Sequence, residues 1–256
     1  MEIRILGAHN TETKTSRMSG VLVDGIIALD AGALTSSLSM DEQLKLEAVL
    51  LTHQHYDHIR DVPILGMNLR ISGKSVNLYA LPETLTLLKD SIINGVLYSR
   101  FYEWPEDNPA LRFVPIIPGE EFSLGSYRAL PVSMPHSVPA VGYLIKNQKN
   151  KSVFYTGDTG LGFATSVAPL APDTLIVEVT SSNQFGGPNW AKKHLCPDFL
   201  KRELVEFKNI AGYIPRVICV HMYEPLEEEI KTELSEVAEK LGAEIIPAVE
   251  GIRFEC

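Results

Sequence analysis

Apolar positions in the first part of the chain come in short runs rather than long helical stripes. Ile3–Leu6, Gly20–Val23, Ile26–Asp30 and Ala48–Thr52 are rich in Ile, Val and Leu and are divided by polar, turn-forming stretches, the pattern of strands joined by loops. Two of them, Ile26–Asp30 and Ala48–Thr52, run from apolar into polar residues and are expected to end at a working edge. The pattern turns helical at Pro63–Arg70 and Pro82–Ile92, with a strand at Ser75–Ala80 between them. Strands return from Leu111 to Ile145, punctuated by Pro118-Gly119 and Leu124-Gly125-Ser126. The rest of the chain predicts strands at Ser152–Thr156, Thr174–Val179, Val217–His221, Glu244–Pro247 and Gly251–Glu255. Helices are predicted near Phe163–Ala168 and over Pro197–Phe207 and Leu226–Leu241. Strand-rich halves each followed by helices predict an α/β fold, a four-layer αββα sandwich of two mixed β-sheets flanked by helices. No repeat, low-complexity tract or Gly/Ser linker divides the chain, so residues 1–256 are expected to form one domain.

With 256 residues, 45% of them hydrophobic, the chain can bury a large core without disulfides. No stretch approaches the ~18 consecutive apolar residues of a membrane span, and the first residues lack the features of a secretory signal. Cys196, Cys219 and Cys256 are far apart, which suits a reducing compartment. A cytoplasmic protein without membrane contact is the expectation. A formal charge of -9 disfavours a protein that grips extended nucleic acid, while leaving room for a small anionic partner at a site whose local charge bound cations reverse.

The chemistry is concentrated in Ala48-Val-Leu-Leu-Thr-His-Gln-His-Tyr-Asp-His58, where an apolar strand runs into four potential metal ligands within six residues. Extended backbone lets His53 and His55 point one way while Asp57 and His58 swing to a second position, so one loop can serve two metals. Imidazole and carboxylate suit zinc, iron or manganese. Further ligands are expected at strand ends, which place side chains more accurately than loops do. His136 in Met134-Pro-His-Ser, Asp158 in Tyr155-Thr-Gly-Asp-Thr-Gly and His221 at the end of Val217–His221 qualify.

His-x-His-x-Asp-His after a strand, followed in order by His136, Gly157-Asp158 and His221, resembles the metallo-β-lactamase superfamily across nearly the whole chain. The resemblance implies that His53, His55 and His136 bind one divalent metal ion, that Asp57, His58 and His221 bind a second, and that Asp158 bridges them. A hydroxide between the two ions (zinc, iron or manganese) would be the nucleophile.

That centre serves lactams, lactones, thioesters and phosphodiesters alike, so accessory residues must choose the reaction. Leu175-Ile-Val-Glu-Val-Thr180 and His194-Leu-Cys-Pro197 resemble motifs of the branch that contains tRNA 3′-processing endonucleases and class II cyclic nucleotide phosphodiesterases. In that branch a His oriented by the Glu protonates the leaving oxygen, which implies a catalytic set of Asp57, His194 and Glu178. Phosphodiester cleavage needs such an acid because an alkoxide leaves poorly unless protonated or metal-bound. Leu29-Asp-Ala-Gly-Ala-Leu-Thr-Ser-Ser-Leu-Ser39 resembles the cyclic nucleotide phosphodiesterases, and no basic, Gly-rich arm for tRNA is visible. The expected activity is hydrolysis of a small nucleotide phosphodiester, a 3′,5′-cyclic nucleotide to its 5′-monophosphate. The alternatives are an acyl hydrolase, a diiron redox or oxygen-sensing module, and a non-catalytic binding protein. Resemblance further implies a homodimer. Tyr98–Pro109, with four aromatics able to stack on a base, and Gln184–Trp190 are candidate substrate loops. His9 is expected on a turn, without a metal role.

Overall fold

A computed structural model describes residues 1–256. The first sheet takes β1 (Glu2–Gly7), β2 (Gly20–Val23), β3 (Ile27–Leu29), β4 (Ala48–Leu50), β5 (Val76–Ala80), β6 (Leu111–Pro115) and, returning from the far end of the chain, β14 (Arg253–Glu255). Its order is β14-β1-β2-β3-β4-β5-β6. β1, β2, β3 and β14 pair antiparallel, whereas β3 to β6 run parallel. The second sheet contains β7 (Phe122–Leu124), β8 (Tyr127–Ser133), β9 (Val141–Asn147), β10 (Ser152–Tyr155), β11 (Thr174–Glu178), β12 (Arg216–Val220) and β13 (Ile245–Pro247), ordered β13-β12-β11-β10-β9-β8-β7. Here β10 to β13 are parallel and β7 to β10 antiparallel, so both sheets are mixed, as expected.

Three apolar clusters fill the three gaps of a four-layer sandwich. Between the sheets, Ile3, Ile5, Val21, Leu29 and Leu50 meet Tyr143, Ile145, Tyr155, Ile176 and Ile218. Leu22, Ala28 and Val49, the alternate positions of those strands, point outward to Leu65 and Leu69 of α4 (Val62–Ile71). On the second sheet Leu175, Val177 and Cys219 back onto α7 (Pro197–Ala211) and α8 (Glu227–Leu241) through Leu200, Leu204, Ile230 and Leu234. Strands buried on both faces lack polar alternation, which is why these segments read as continuous apolar runs.

The long helices start and stop where local chemistry dictates. α7 places Pro197 in its first turn and ends at Gly212 in the left-handed region. α8 opens on Glu227, Glu228 and Glu229, which complement the helix dipole, and ends at Gly242. α5 (Pro82–Leu87) continues as a π turn over Leu88–Ile92, so the predicted Pro82–Ile92 helix changes its winding midway. Three one-turn helices go beyond the sequence pattern, α1 (Leu34–Ser37), α2 (Met40–Gln43) and α3 (Tyr56–Ile59), whereas α6 (Ala164–Val167) lies within the expected Phe163–Ala168 segment. Of these only α2 carries a start signal, a capping box between Ser39 and Glu42.

Both sheets present the carboxyl ends of parallel strands to one edge, and chain polarity brings the end of β8 to the same edge as the ends of β10 to β12. Open α/β sheets place ligands outside such ends.

Candidate metal centre

Every expected ligand lies at that edge. His53 and His55 follow β4, His55 in extended backbone, whereas Asp57 and His58 sit on the single turn of α3, which provides the swing between two positions. His136 follows β8, Asp158 follows β10 and His221 follows β12. Two glycines allow the close approach. A side chain on Gly32 would stand 2.0 Å from the Asp57 carbonyl oxygen, and one on Gly157, at φ +58°, would stand 2.6 Å from Thr52.

The donor atoms form two adjoining groups. His55 Nδ1 is 2.9 Å from His53 Nε2 and 3.2 Å from His136 Nε2, and Asp158 Oδ2 is 3.7 Å from both Nε2 atoms. Beside them, His221 Nε2 is 3.0 Å from Asp57 Oδ2 and 3.4 Å from His58 Nε2. Asp158 Oδ1 is 3.0 Å from His58 Nε2 and 3.2 Å from His221 Nε2, so one carboxylate offers an oxygen to each group. Ligands held 2.0–2.1 Å from a tetrahedral ion lie about 3.3–3.4 Å apart, a separation that these distances bracket. Asp158 Oδ1 is buried without a hydrogen-bond partner, an arrangement that costs free energy unless a cation answers it. The residues therefore fit two divalent ions.

The outward nitrogens of these rings are bonded in the way ligating histidines require. His58 Nδ1 donates to Asp30 at 2.6 Å, His53 Nδ1 to Thr52 Oγ1 at 3.0 Å, His136 Nδ1 to the Lys193 carbonyl at 2.8 Å, and His221 Nδ1 to Thr180 Oγ1 at 2.8 Å. Each ring thus turns Nε2 to the centre. His55, with Nδ1 inward, is the exception. Burial holds His53, His55 and His136 below the ordinary histidine range, in the neutral form that binds metal. For His58 burial also opposes charge, but Asp158, Asp30 and Asp57 outweigh it and raise its pKa.

Asp30 is a site residue to which the sequence reading gave no role. Fully buried at φ +60°, it accepts from the Thr52 amide at 2.8 Å, the Thr52 hydroxyl, His58 and, across the sandwich, the Tyr155 hydroxyl at 2.8 Å. Its only sequence signal is the strand Ile26–Asp30 ending in Asp-Ala-Gly. Thr180 is the second such residue. Its hydroxyl donates to Glu178 at 2.5 Å while accepting from His221, linking a candidate ligand to the accessory carboxylate.

His194 and Glu178 come together as the resemblance implied. His194 Nδ1 donates to Glu178 Oε1 at 2.9 Å and lies 3.9 Å from Asp158 Oδ2, leaving Nε2 to exchange a proton. Glu178 also accepts from the Thr159 and Leu195 amides. Burial opposes charge on His194, but the Glu178 carboxylate outweighs it and carries the pKa to about 9. A cleft of about 300 Å³ opens over these groups, with His55, Tyr56, Asp57, Asp158, His194 and His221 in its walls.

Two expectations change. In Tyr98–Pro109, Phe101 is buried against Gly66 and Tyr102 stacks on Phe113 at 5.3 Å, so that segment packs onto the first sheet's helices and lines no part of the cleft. His9 is no free turn residue. It is buried, bridges to Met222 beside His221, and places Nδ1 2.6 Å from Glu250.

Residues 21–222 match the model of the beta-lactamase superfamily domain, and the chain belongs to that family. Fold, family and the His/Asp cluster define a metal-dependent hydrolase of the metallo-β-lactamase superfamily. Among solved structures, the unliganded yeast PDE1 superposes with a TM-score of 0.83 at 17% identity, covering 98% of each chain. The metallo-beta-lactamase fold protein YhfI from Bacillus subtilis gives 0.78 at 18%, covering 99% of each. The short form of human tRNase Z gives 0.71 at 15%, covering 100% of this chain and 99% of the other. No curated protein matches the chain by sequence.

Proposed function

We propose that the chain is a two-metal phosphodiesterase that opens a small nucleotide phosphodiester, a 3′,5′-cyclic nucleotide, to the 5′-monophosphate. His53, His55 and His136 would hold one ion and Asp57, His58 and His221 the other, with Asp158 between them. Bound there, the ions supply Lewis-acid polarisation of the phosphoryl group and acidify water. The observation that carries the reading is the Glu178–His194 pair at the rim of the centre. One water adds across the P–O bond, its hydroxyl to phosphorus, while the departing oxygen takes a proton from His194 Nε2 that the water's own proton replaces. Glu178, fixed by two backbone amides and the Thr180 hydroxyl, orients the imidazole and stabilises its charge. A lactone or thioester leaves more readily and needs this acid less. Structural likeness to yeast PDE1 and a net charge of -9 favour a small substrate over RNA.

Initial rates of wild type and His194→Ala on cyclic AMP, bis(p-nitrophenyl) phosphate and a lactone panel test the reading. Cyclic AMP turnover should fall by about 10²–10⁴-fold in the variant. Lactone turnover indifferent to His194, with no phosphodiester cleavage, would replace this reading with an acyl hydrolase.

A further inference from the structure

A second cavity, of about 410 Å³, adjoins the metal cleft and shares Asn10, Thr180 and Trp190 with it. Phe185, Trp190 and Tyr223 line it with aromatic surface, and Leu226 closes the apolar lining. Phe185 and Tyr223 are 53% and 42% exposed, so their rings offer aromatic surface to a molecule in the cavity. The Trp190 ring lies 4.9 Å from the His194 ring, so the cavity lies beside the imidazole proposed to protonate the leaving oxygen.

Polar atoms on the same wall are unpaired. Asn10 Oδ1, Ser181 Oγ and Trp190 Nε1 are shielded from solvent and have no hydrogen-bond partner in the protein. Ser181 is 4% exposed as a residue. Apolar walls with a few unanswered polar groups are the make-up of a small-molecule subsite, and 410 Å³ lies within the usual range of such sites. The wall is also anchored. Asn183 and Gln184 bond to Glu233 and Glu229 of α8, and the Asp198 amide donates to Asn183.

We propose that this cavity seats the nucleobase of the nucleoside whose oxygen leaves phosphorus, a reading that rests on the phosphodiesterase assignment above. A planar base has two apolar faces for the aromatic walls, and rotation of the Asn10 and Ser181 side chains would bring their unpaired oxygens to its polar edge. The aromatics of Tyr98–Pro109 have no part in it.

The experiment uses zinc-loaded protein carrying Trp104→Phe, which leaves Trp190 as the sole tryptophan. Its fluorescence is followed while adenosine 5′-monophosphate or ribose 5-phosphate, the same sugar phosphate without a base, is added. The base-bearing ligand should quench Trp190 and bind at least about 10-fold more tightly. Phe185→Ala and Tyr223→Ala, both at exposed side chains, should each weaken it about 5- to 150-fold and leave ribose 5-phosphate unchanged. Equal affinity for the two ligands, or adenosine 5′-monophosphate binding untouched by both substitutions, overturns the proposal. Hydrolysis of bis(p-nitrophenyl) phosphate by the same sample separates the two failures. It persists if only the base site is wrong and is absent if the phosphodiesterase reading is wrong.

Discussion

At the scale of single residues, the centre is governed by atoms that do not face it. Asp30 accepts from Thr52, His58 and Tyr155 at once and so orients the candidate ligand His58 while tying the first sheet to the second. Replacing a carboxylate that holds a ligating imidazole costs about 10–100-fold in metal affinity or activity. Asp30→Asn should therefore weaken metal binding by that factor, measured by competition with a chromophoric chelator; unchanged affinity would show that His58 needs no such support. The candidate ligands themselves were legible in the sequence because four fall within six residues after an apolar strand. Asp30 and Thr180 were not, because their roles arise from neighbours 125 and 41 residues away. The aromatics of Tyr98–Pro109 misled because a stacking surface and a packing surface have the same composition.

At the scale of elements, strands and long helices were legible through their periods and stop signals, whereas one-turn helices contain too few residues to show a period. His9 marks the other limit, since its setting depends on three elements meeting. It ties the end of β1 to Glu250, in the turn before β14, and lies 3.3 Å from Glu227 at the start of α8, which Lys231 also pairs. Burial opposes charge on His9, but Glu250 and Glu227 outweigh it and raise its pKa above 6.5. Burial likewise opposes charge on Glu250, and His9 and the Arg17 amide lower its pKa below 4.5. A raised histidine stabilises fully below its unfolded value and loses that effect as pH climbs through the folded one; a lowered carboxylate stabilises above its unfolded value and loses that effect as pH falls through its folded one. The pair thus contributes most between about pH 4.5 and 6.5. His9→Gln should lower the melting temperature most near pH 6, with the gap to wild type narrowing towards pH 9. A pH-independent gap would mean that His9 acts by packing alone.

At the scale of the whole molecule, the two sheets bring complementary halves of one site. The first supplies His53, His55, Asp57 and His58, and the second His136, Asp158 and His221. Ions bound there join the sheets at the edge where the apolar core between them ends. Ions at 100 times their Kd would stabilise the fold by about 2.7 kcal/mol for each independent site. Exhaustive chelation should consequently lower the melting temperature by several degrees, and readdition of zinc or manganese should restore it. A melting curve insensitive to chelator would mean that the centre is not coupled to folding. The sandwich was legible from strand-rich halves followed by helices, and the shared edge followed from strands turning polar at their ends. The cavity beside His194 was not, because Asn10, Trp190 and Tyr223 converge only in three dimensions.

The most direct measurement is the initial rate of cyclic AMP hydrolysis, with product identification, as zinc or manganese is titrated into metal-free protein. The account predicts 5′-monophosphate as product and a rate that rises until two ions per chain are bound. No phosphodiester hydrolysis at full metal occupancy, with lactone or thioester turnover in its place, would contradict it.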